Sequence, residues 1–404
     1  MKILFTLVAL FYLNIIFTQN SLFDSLMVVG KAEFSTENLK PDYKLAVKAF
    51  EQAVKIEPNN AEAHYFLGYA YSRVDGKDET LAFITSLEST IKISEQFEQV
   101  NKISPYYKGE LVILDPYAKI TAEWGVLAVH YMHHSKLDSA KWAFKQGKKK
   151  GGYSDFILAR ARLLLDACDK NGLLLSAGDN NGYSVWYVQV MENYRTDVVL
   201  IESGLMSTIW YPNYLMDKRQ IKFNLSKPVL DSLSYLPWKD SLVTIGDFKW
   251  MLQPSYNDSF LLRSDRVLLS LMQANLFERE IYFTSYFREN QRLSLGAYCR
   301  NNVIVDKLTE NIGELVTHAV FKEELLSILK LCEMVNQNSN EERRLIVGIR
   351  YRVFVRSRYY LENREKKLAK ELIDLLDQYL PEQEFPFYSE NSAKYMLYLR
   401  SELR

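Results

Sequence analysis

The 404-residue chain predicts a mostly α-helical protein carrying a small α/β domain, with helical repeats flanking a parallel βαβ-type module. Three observations carry that expectation. Small and aromatic residues recur at intervals suited to paired helices on both sides of the chain's middle. The middle holds three short β-rich runs. Finally, 27 Tyr, 21 Phe and 6 Trp against 16 Gly favour helices packed through large amphipathic side chains. A hydrophobic content of 48% is enough to fill a sizeable core. Fifty basic residues balance fifty acidic ones, so overall charge calls for no nucleic acid, anionic membrane surface or polycationic partner.

Residues 1–20, MKILFTLVALFYLNIIFTQN, place one lysine ahead of an apolar stretch from Ile3 to Phe17 and read as a signal peptide. No small-x-small cleavage site is evident, so an uncleaved N-terminal anchor is the alternative. No later segment reaches the roughly 18 consecutive apolar residues of a spanning helix. The expectation is an exported protein, periplasmic or secreted, with no transmembrane span beyond the N-terminal signal.

Residues 21–171 are expected to form helical repeats. Within DYKLAVKAFEQAVKIEPNNAEAHYFLGYAYSR, Ala46, Phe50, Ala53 and Pro58 mark one helix and its end. Leu67, Gly68 and Tyr71 mark the next, with His64 at an aromatic packing position. Small residues let two helices approach, aromatics fill the groove between them, and proline closes the helix. The pattern resembles the tetratricopeptide repeat. SLFDSLMVVGKAEF supplies that unit's first helix, and Trp124, Leu127, Ala128, Tyr131, Ala140, Phe144 and Gly147 repeat the spacing. Residues 306–404 form a C-terminal helical region with a degenerate version at Tyr360, Ala369, Ile373, Leu376 and Pro381. Stacked helix pairs present an inner surface, which implies a protein or peptide partner in the helical-repeat groove.

Residues 172–305 are expected to form the α/β domain. LLLSA at 173–177, DVVLIES at 197–203 and REIYFTSYF at 279–287 read as strands. A helix from Val185 to Asn193 makes the first two a parallel βαβ unit. SDRVLLSLMQANLFE is a helix leading into the third strand. The interval 226–260, with Pro228, Pro237 and Pro254, reads as irregular cover for one edge.

Between the first strand and its helix lies the polar stretch GDNNG. Asp179, Asn180 and Asn181 sit where parallel folds bind ligands and can hydrogen-bond sugar hydroxyls or a phosphate, with Tyr183 and Trp186 as stacking faces. The plainer reading is a helix cap, with Gly178 and Gly182 supplying positive φ. An open cleft shared with Tyr183 or Trp186 favours the ligand; side chains consumed by backbone N–H groups favour the cap.

The order ACDKNGLLLSAGDNNGYSVWYVQVMENYRTDVVLIESGLMSTIWY, then VLLSLMQANLFEREIYFTSYF, resembles the soluble C-terminal portion of a bacterial family of multispanning membrane proteins. The membrane part of that family is similar to protein O-mannosyltransferases. The likeness covers about residues 160–400 and matches at Gly178, Asp179, Asn180, Trp186, Tyr187, Gln189, Arg195, Asp197, Asn275 and Tyr282. Asn181 stands where the family usually has a second aspartate, and a repeat region stands in place of the membrane spans. The resemblance therefore implies a detached glycosyltransferase-associated domain in a Bacteroidetes-like organism, not a transferase.

Other constellations carry less. His130, His133 and His134 share one helix face, but no acidic or cysteine ligand supports them, so neither metal nor cofactor is expected. Cys168, Cys299 and Cys332 have no metal spacing and read as buried thiols. Six arginines in RRLIVGIRYRVFVRSRYYL are expected on a solvated helix face or in ion pairs rather than on nucleic acid. No nucleophile, metalloprotease or Cys/His signature is present. The functional expectation is an exported, non-enzymatic interaction or scaffold protein of the bacterial cell envelope. The alternative is a carbohydrate-binding or glycosylation-accessory protein that uses the 178–187 loop.

Overall fold

The structure is a computed structural model that describes residues 21–76, 85–276, 278–285, 287 and 289–403. The signal-peptide expectation at 1–20 lies outside the described residues. The chain opens with α1 (21–32), α2 (Tyr43–Ile56), α3 (Ala61–Val74), α4 (Leu87–Ile103), α5 (Pro116–His133), α6 (Leu137–Lys149) and α7 (Asp155–Asp166). Local chemistry starts these helices. Asp42, Asn60, Ser86, Asp115 and Ser154 each accept a hydrogen bond from the backbone N–H three residues on. From α2 to α6 each helix packs on the next. Ala46, Phe50, Ala53, Ala128, Ala140 and Phe144 are wholly buried, and Phe50 stacks on Phe66 with centroids 5.5 Å apart.

The inner face of α3 is not open. The segment 104–115 runs back over it, and Leu114 O accepts from the hydroxyls of Tyr65 at 2.9 Å and Tyr69 at 3.2 Å. In return, Val112 N–H donates to the Tyr65 hydroxyl at 2.9 Å and Leu114 N–H to that of Tyr69 at 2.7 Å. The next inner helix, α5, is covered by α8 (Asp179–Glu192). A Cβ on Gly125 would lie 2.3 Å from Tyr183 Cγ, so only glycine permits that approach. The expectation of a partner in the repeat groove therefore needs correction along α3 and α5. There the chain has already filled its own groove.

The α/β module is a five-stranded mixed sheet. Its strands are β1 (Leu173–Ser176), β2 (Val199–Glu202), β7 (Ile281–Thr284), β8 (Cys299–Asn301) and β9 (Val305–Leu308), in the order β2-β1-β7-β9-β8. Strand β1 runs parallel to β2 and β7, whereas β9 is antiparallel to β7 and β8. The fold class is as the sequence indicates: mostly α with a small α/β domain.

Three details differ. Helix α8 starts at Asp179, not Val185, so the polar stretch is the helix's first turn and not a loop. The sheet runs on to Leu308. The interval 226–260 is ordered: α10 (Lys227–Ser232) precedes a hairpin of β4 (Ser241–Ile245) and β5 (Phe248–Leu252), framed by the short pair β3 (Leu236–Pro237) and β6 (Phe260–Leu261). Its signal was alternation, since Phe248, Trp250 and Leu252 are buried while Lys249 and Met251 face out.

Helices α9 (Trp210–Arg219) and α11 (Arg263–Asn275) complete the module. Beyond it come α12 (His318–Leu329), α13 (Asn340–Val347), α14 (Ile349–Glu362), α15 (Lys366–Tyr379) and α16 (Glu390–Glu402). Tyr360, Ala369, Ile373 and Leu376 are buried between α14 and α15. Of the α14 arginines, Arg352 and Arg358 make the expected ion pairs, with Asp306 and Glu362, while two others depart from both the solvated face and the ion pair. Arg350 and Arg356 are buried, and Arg350 donates to Leu380 O at 2.7 Å beneath the Phe387 ring. One aspartate ties the two ends of the chain together. Asp115 caps α5 through Oδ1, while its Oδ2 accepts from Ser339 Oγ at 2.8 Å and Glu341 N–H at 2.7 Å at the start of α13. Among the described residues no helix is long and apolar enough to cross a membrane.

Candidate functional site at the carboxyl ends of the parallel strands

From β1 the chain passes through α8 to β2 on one side, then through α11 to β7 on the other. Strand order reverses between β1 and β7, and at such a point helices diverge to opposite faces and leave a crevice at the strand ends. The faces follow from the alternation along each strand. Glu202 faces α8, since a Cβ on Gly182 would lie 3.1 Å from its Cγ, whereas Leu175 and Ile201 line a small cavity with Leu268 of α11.

Three polar groups are stranded there. Leu175 pairs with Phe283, so the next residues, Ser176 and Thr284, lie side by side. Both are completely buried, and neither hydroxyl has a hydrogen-bond partner among the described residues; the same holds for Asn180 Oδ1. Buried polar atoms are nearly always satisfied, so such a cluster marks a place built for something polar.

Two carboxylates stand beside it. Glu202 Oε2 accepts from Leu205 N–H at 2.9 Å, and burial raises its pKa to about 7, with the charge of Asp179 adding to the effect. The pair supplies one group able to give or take a proton near neutrality and one nearby charge that tunes it.

The residues singled out in the sequence are placed as follows. Gly178 is the N-cap at φ +92°, a conformation that favours glycine, while Gly182 is an ordinary helical residue. Asn181 is consumed: its Oδ1 accepts from Arg160 Nη1 at 2.5 Å and its Nδ2 donates to Ala177 O at 2.8 Å. Tyr183 and Trp186 are 8% and 2% exposed, so neither ring offers a stacking face to a ligand. Asp179 is half-buried in the first turn of α8, directly after the Gly178 N-cap. The arrangement is thus not the open aromatic cleft but a cluster of buried polar side chains at the carboxyl ends of the strands.

Sequence reading missed Ser176, Thr284, Arg160 and Glu202. Glu202 left a signal, being the acid that ends the apolar run VVLIE. The hydroxyls left none, because their isolation is set by strand register.

A family model described as TMEM260-associated domain 2 matches residues 158–241, and a TPR repeat model matches residues 40–75. Residues 158–241, which hold β1, α8 and β2 but not β7 to β9, are similar to a TMEM260-associated domain. No curated protein matches the chain. The first match spans Arg160, Ser176, Asp179, Asn180, Asn181 and Glu202; the second spans α2 and α3. The tetratricopeptide match supports a protein-interaction scaffold.

Several residues behind the resemblance hold the module together rather than line the site. Gln189 Nε2 donates to the carbonyls of Arg195 and Val198. Arg195 ties Leu165 O and Cys168 O to Asp197, and Tyr282 donates to Asp169 Oδ2 at 2.6 Å. Asn275 bridges the carbonyls of Lys222 and Leu271. The histidines serve packing: His133 lies 5.1 Å from the Trp210 ring, and burial lowers its pKa. All three cysteines are buried and free. Among the described residues no group of three or more His, Cys, Asp and Glu side chains is placed to hold a metal.

Proposed function

We propose that the protein is an exported, non-enzymatic tetratricopeptide-type scaffold of the cell envelope that recruits a protein partner. The observation that carries this reading is the repeat itself, matched over 40–75 and built as α2 and α3. Export rests on the character of residues 1–20. Because the chain covers the inner face of α3, the partner surface proposed is the trough between α2 and α4. That trough encloses about 580 Å³ and is lined by the apolar Val47, Val74 and Ile93, by Lys44, Lys48 and Lys92, and by the acids Asp75 and Glu88. The apolar lining and the lysines, which outnumber the acids there, suit an extended peptide with alternating apolar and acidic side chains. Capture from envelope extracts tests it. Wild-type protein should recover a partner that the Lys44→Glu, Lys48→Glu double variant loses; equal recovery by both would refute the trough, and recovery of nothing above control would refute the scaffold.

A second reading is favoured by the stranded hydroxyls of Ser176 and Thr284. On it the module is a glycan-binding or glycosylation-accessory domain, consistent with its likeness to proteins whose membrane part resembles O-mannosyltransferases. Since Tyr183 and Trp186 are buried, recognition would run through polar atoms alone. Binding on a glycan array that disappears in Asp179→Ala, with folding intact, supports it. Silence across all envelope glycans ends it.

A further inference from the structure

A separate cavity of about 430 Å³ opens beyond β7, between the start of β9 and α14. Its base is ionic. Asp306 is completely buried, and its Oδ2 accepts from Nη2 of Arg292 and of Arg352, each at 2.8 Å. Nearby Glu324 is engaged by the Asn302 amide and by the N–H groups of Val303 and Ile304.

A third arginine is left over. Arg356 lines the cavity at 5% exposure, with its guanidinium 5.3 Å from the Phe321 ring and 5.0 Å from the Tyr360 ring. Its Nε donates to the Tyr360 hydroxyl and its Nη2 to Val316 O. Its Nη1 has no hydrogen-bond partner and its charge no carboxylate among the described residues. A desolvated, rigidly held cation of this kind is expensive unless an anion joins it. Opposite in character, Asn302 Oδ1 is an acceptor that lines the same cavity without a donor. Tyr351 and Tyr359 edge the opening, 68% and 41% exposed.

We propose that this cavity binds a small hydroxylated organic anion, a single-ring polyol bearing a phosphate or a carboxylate. The oxyanion meets Arg352 and Arg356, whose planar forks suit either group. A ligand hydroxyl donates to Asn302 Oδ1, and the ring lies along the tyrosine edge. The volume falls within the range of small-molecule sites. This site shares no residue with the α2–α4 trough, so failure here leaves the scaffold reading untouched, and the reverse also holds.

Isothermal titration of the full chain tests the proposal with four probes: inorganic phosphate, a hexose 6-phosphate, a hexuronate and the neutral hexose. The hexose phosphate or the hexuronate should bind, and whichever is tighter identifies the anion. The neutral hexose should be weaker by about tenfold or more, the size of one lost charge-assisted hydrogen bond. Val355 is 48% exposed on α14 and lines the cavity, so its substitution should leave the fold intact. Val355→Glu places a like charge at the mouth and should abolish binding, while Arg356→Lys keeps the charge, loses the fork and should weaken it. Thermal unfolding confirms that each variant is folded. No binding by either organic anion, equal binding of the neutral hexose, binding of the organic anions no tighter than inorganic phosphate, or unchanged binding by Val355→Glu would each overturn the proposal.

Discussion

Glu202 shows how a single side chain makes stability depend on pH. Burial, helped by Asp179, raises its pKa to about 7, so its contribution to stability is complete below the ordinary carboxylate range and disappears as pH rises through 7. Glu202→Gln keeps an oxygen for Leu205 N–H but cannot ionise. Between pH 5 and pH 8 the wild-type melting temperature should therefore fall further than that of the variant. Buried Glu324 and Glu342, also raised to about 7, act in both proteins and cancel in the comparison. Parallel curves would show that Glu202 titrates normally. At this scale the sequence disclosed apolar residues better than polar ones. Ala46, Phe50 and Ala53 lie in the core because their spacing alone puts them on one helix face. The inward turn of Arg356, the pairing of Asp306 and the isolation of Thr284 depend on strands and helices far apart in the chain, and no local pattern encodes them.

Helix boundaries follow capping chemistry, which is local and readable, except where glycine substitutes for a side-chain cap. The start of α8 at Asp179 illustrates the exception: Gly178 turns the chain at positive φ, and Asn181 N–H and Gly182 N–H bond back to its carbonyl. Three polar residues in a row suggest a loop, yet they form the first turn. Asp115 illustrates a cap with two clients. Asp115→Ala removes an acceptor from α5 and another from α13, at roughly 1–2 kcal/mol for each cap. Asp115→Asn retains one oxygen and turns an N–H group toward the donors of the other helix, so it should fall between wild type and alanine. Urea unfolding measures both; an alanine variant within error of wild type would mean that neither helix depends on this carboxylate.

Across the whole molecule, the repeats were legible as repeats, but their closure was not, because segment 104–115 covers α3 through backbone groups that any sequence carries. Hydrogen exchange can read that closure directly. The amides of Val112 and Leu114 should be protected in wild type and should exchange faster in the Tyr65→Phe, Tyr69→Phe double variant, which loses the accepting hydroxyls. Unprotected amides in wild type would show the groove standing open. The Asp115 link has a further consequence during synthesis. Its second client, Ser339, leaves the ribosome 224 positions later, so the amino-terminal repeats must emerge with an ionised group awaiting its partner. At the elongation rates typical of translation this interval lasts on the order of ten seconds or more, and a nascent chain arrested before Ser339 should be an easy target for proteases that the finished protein resists.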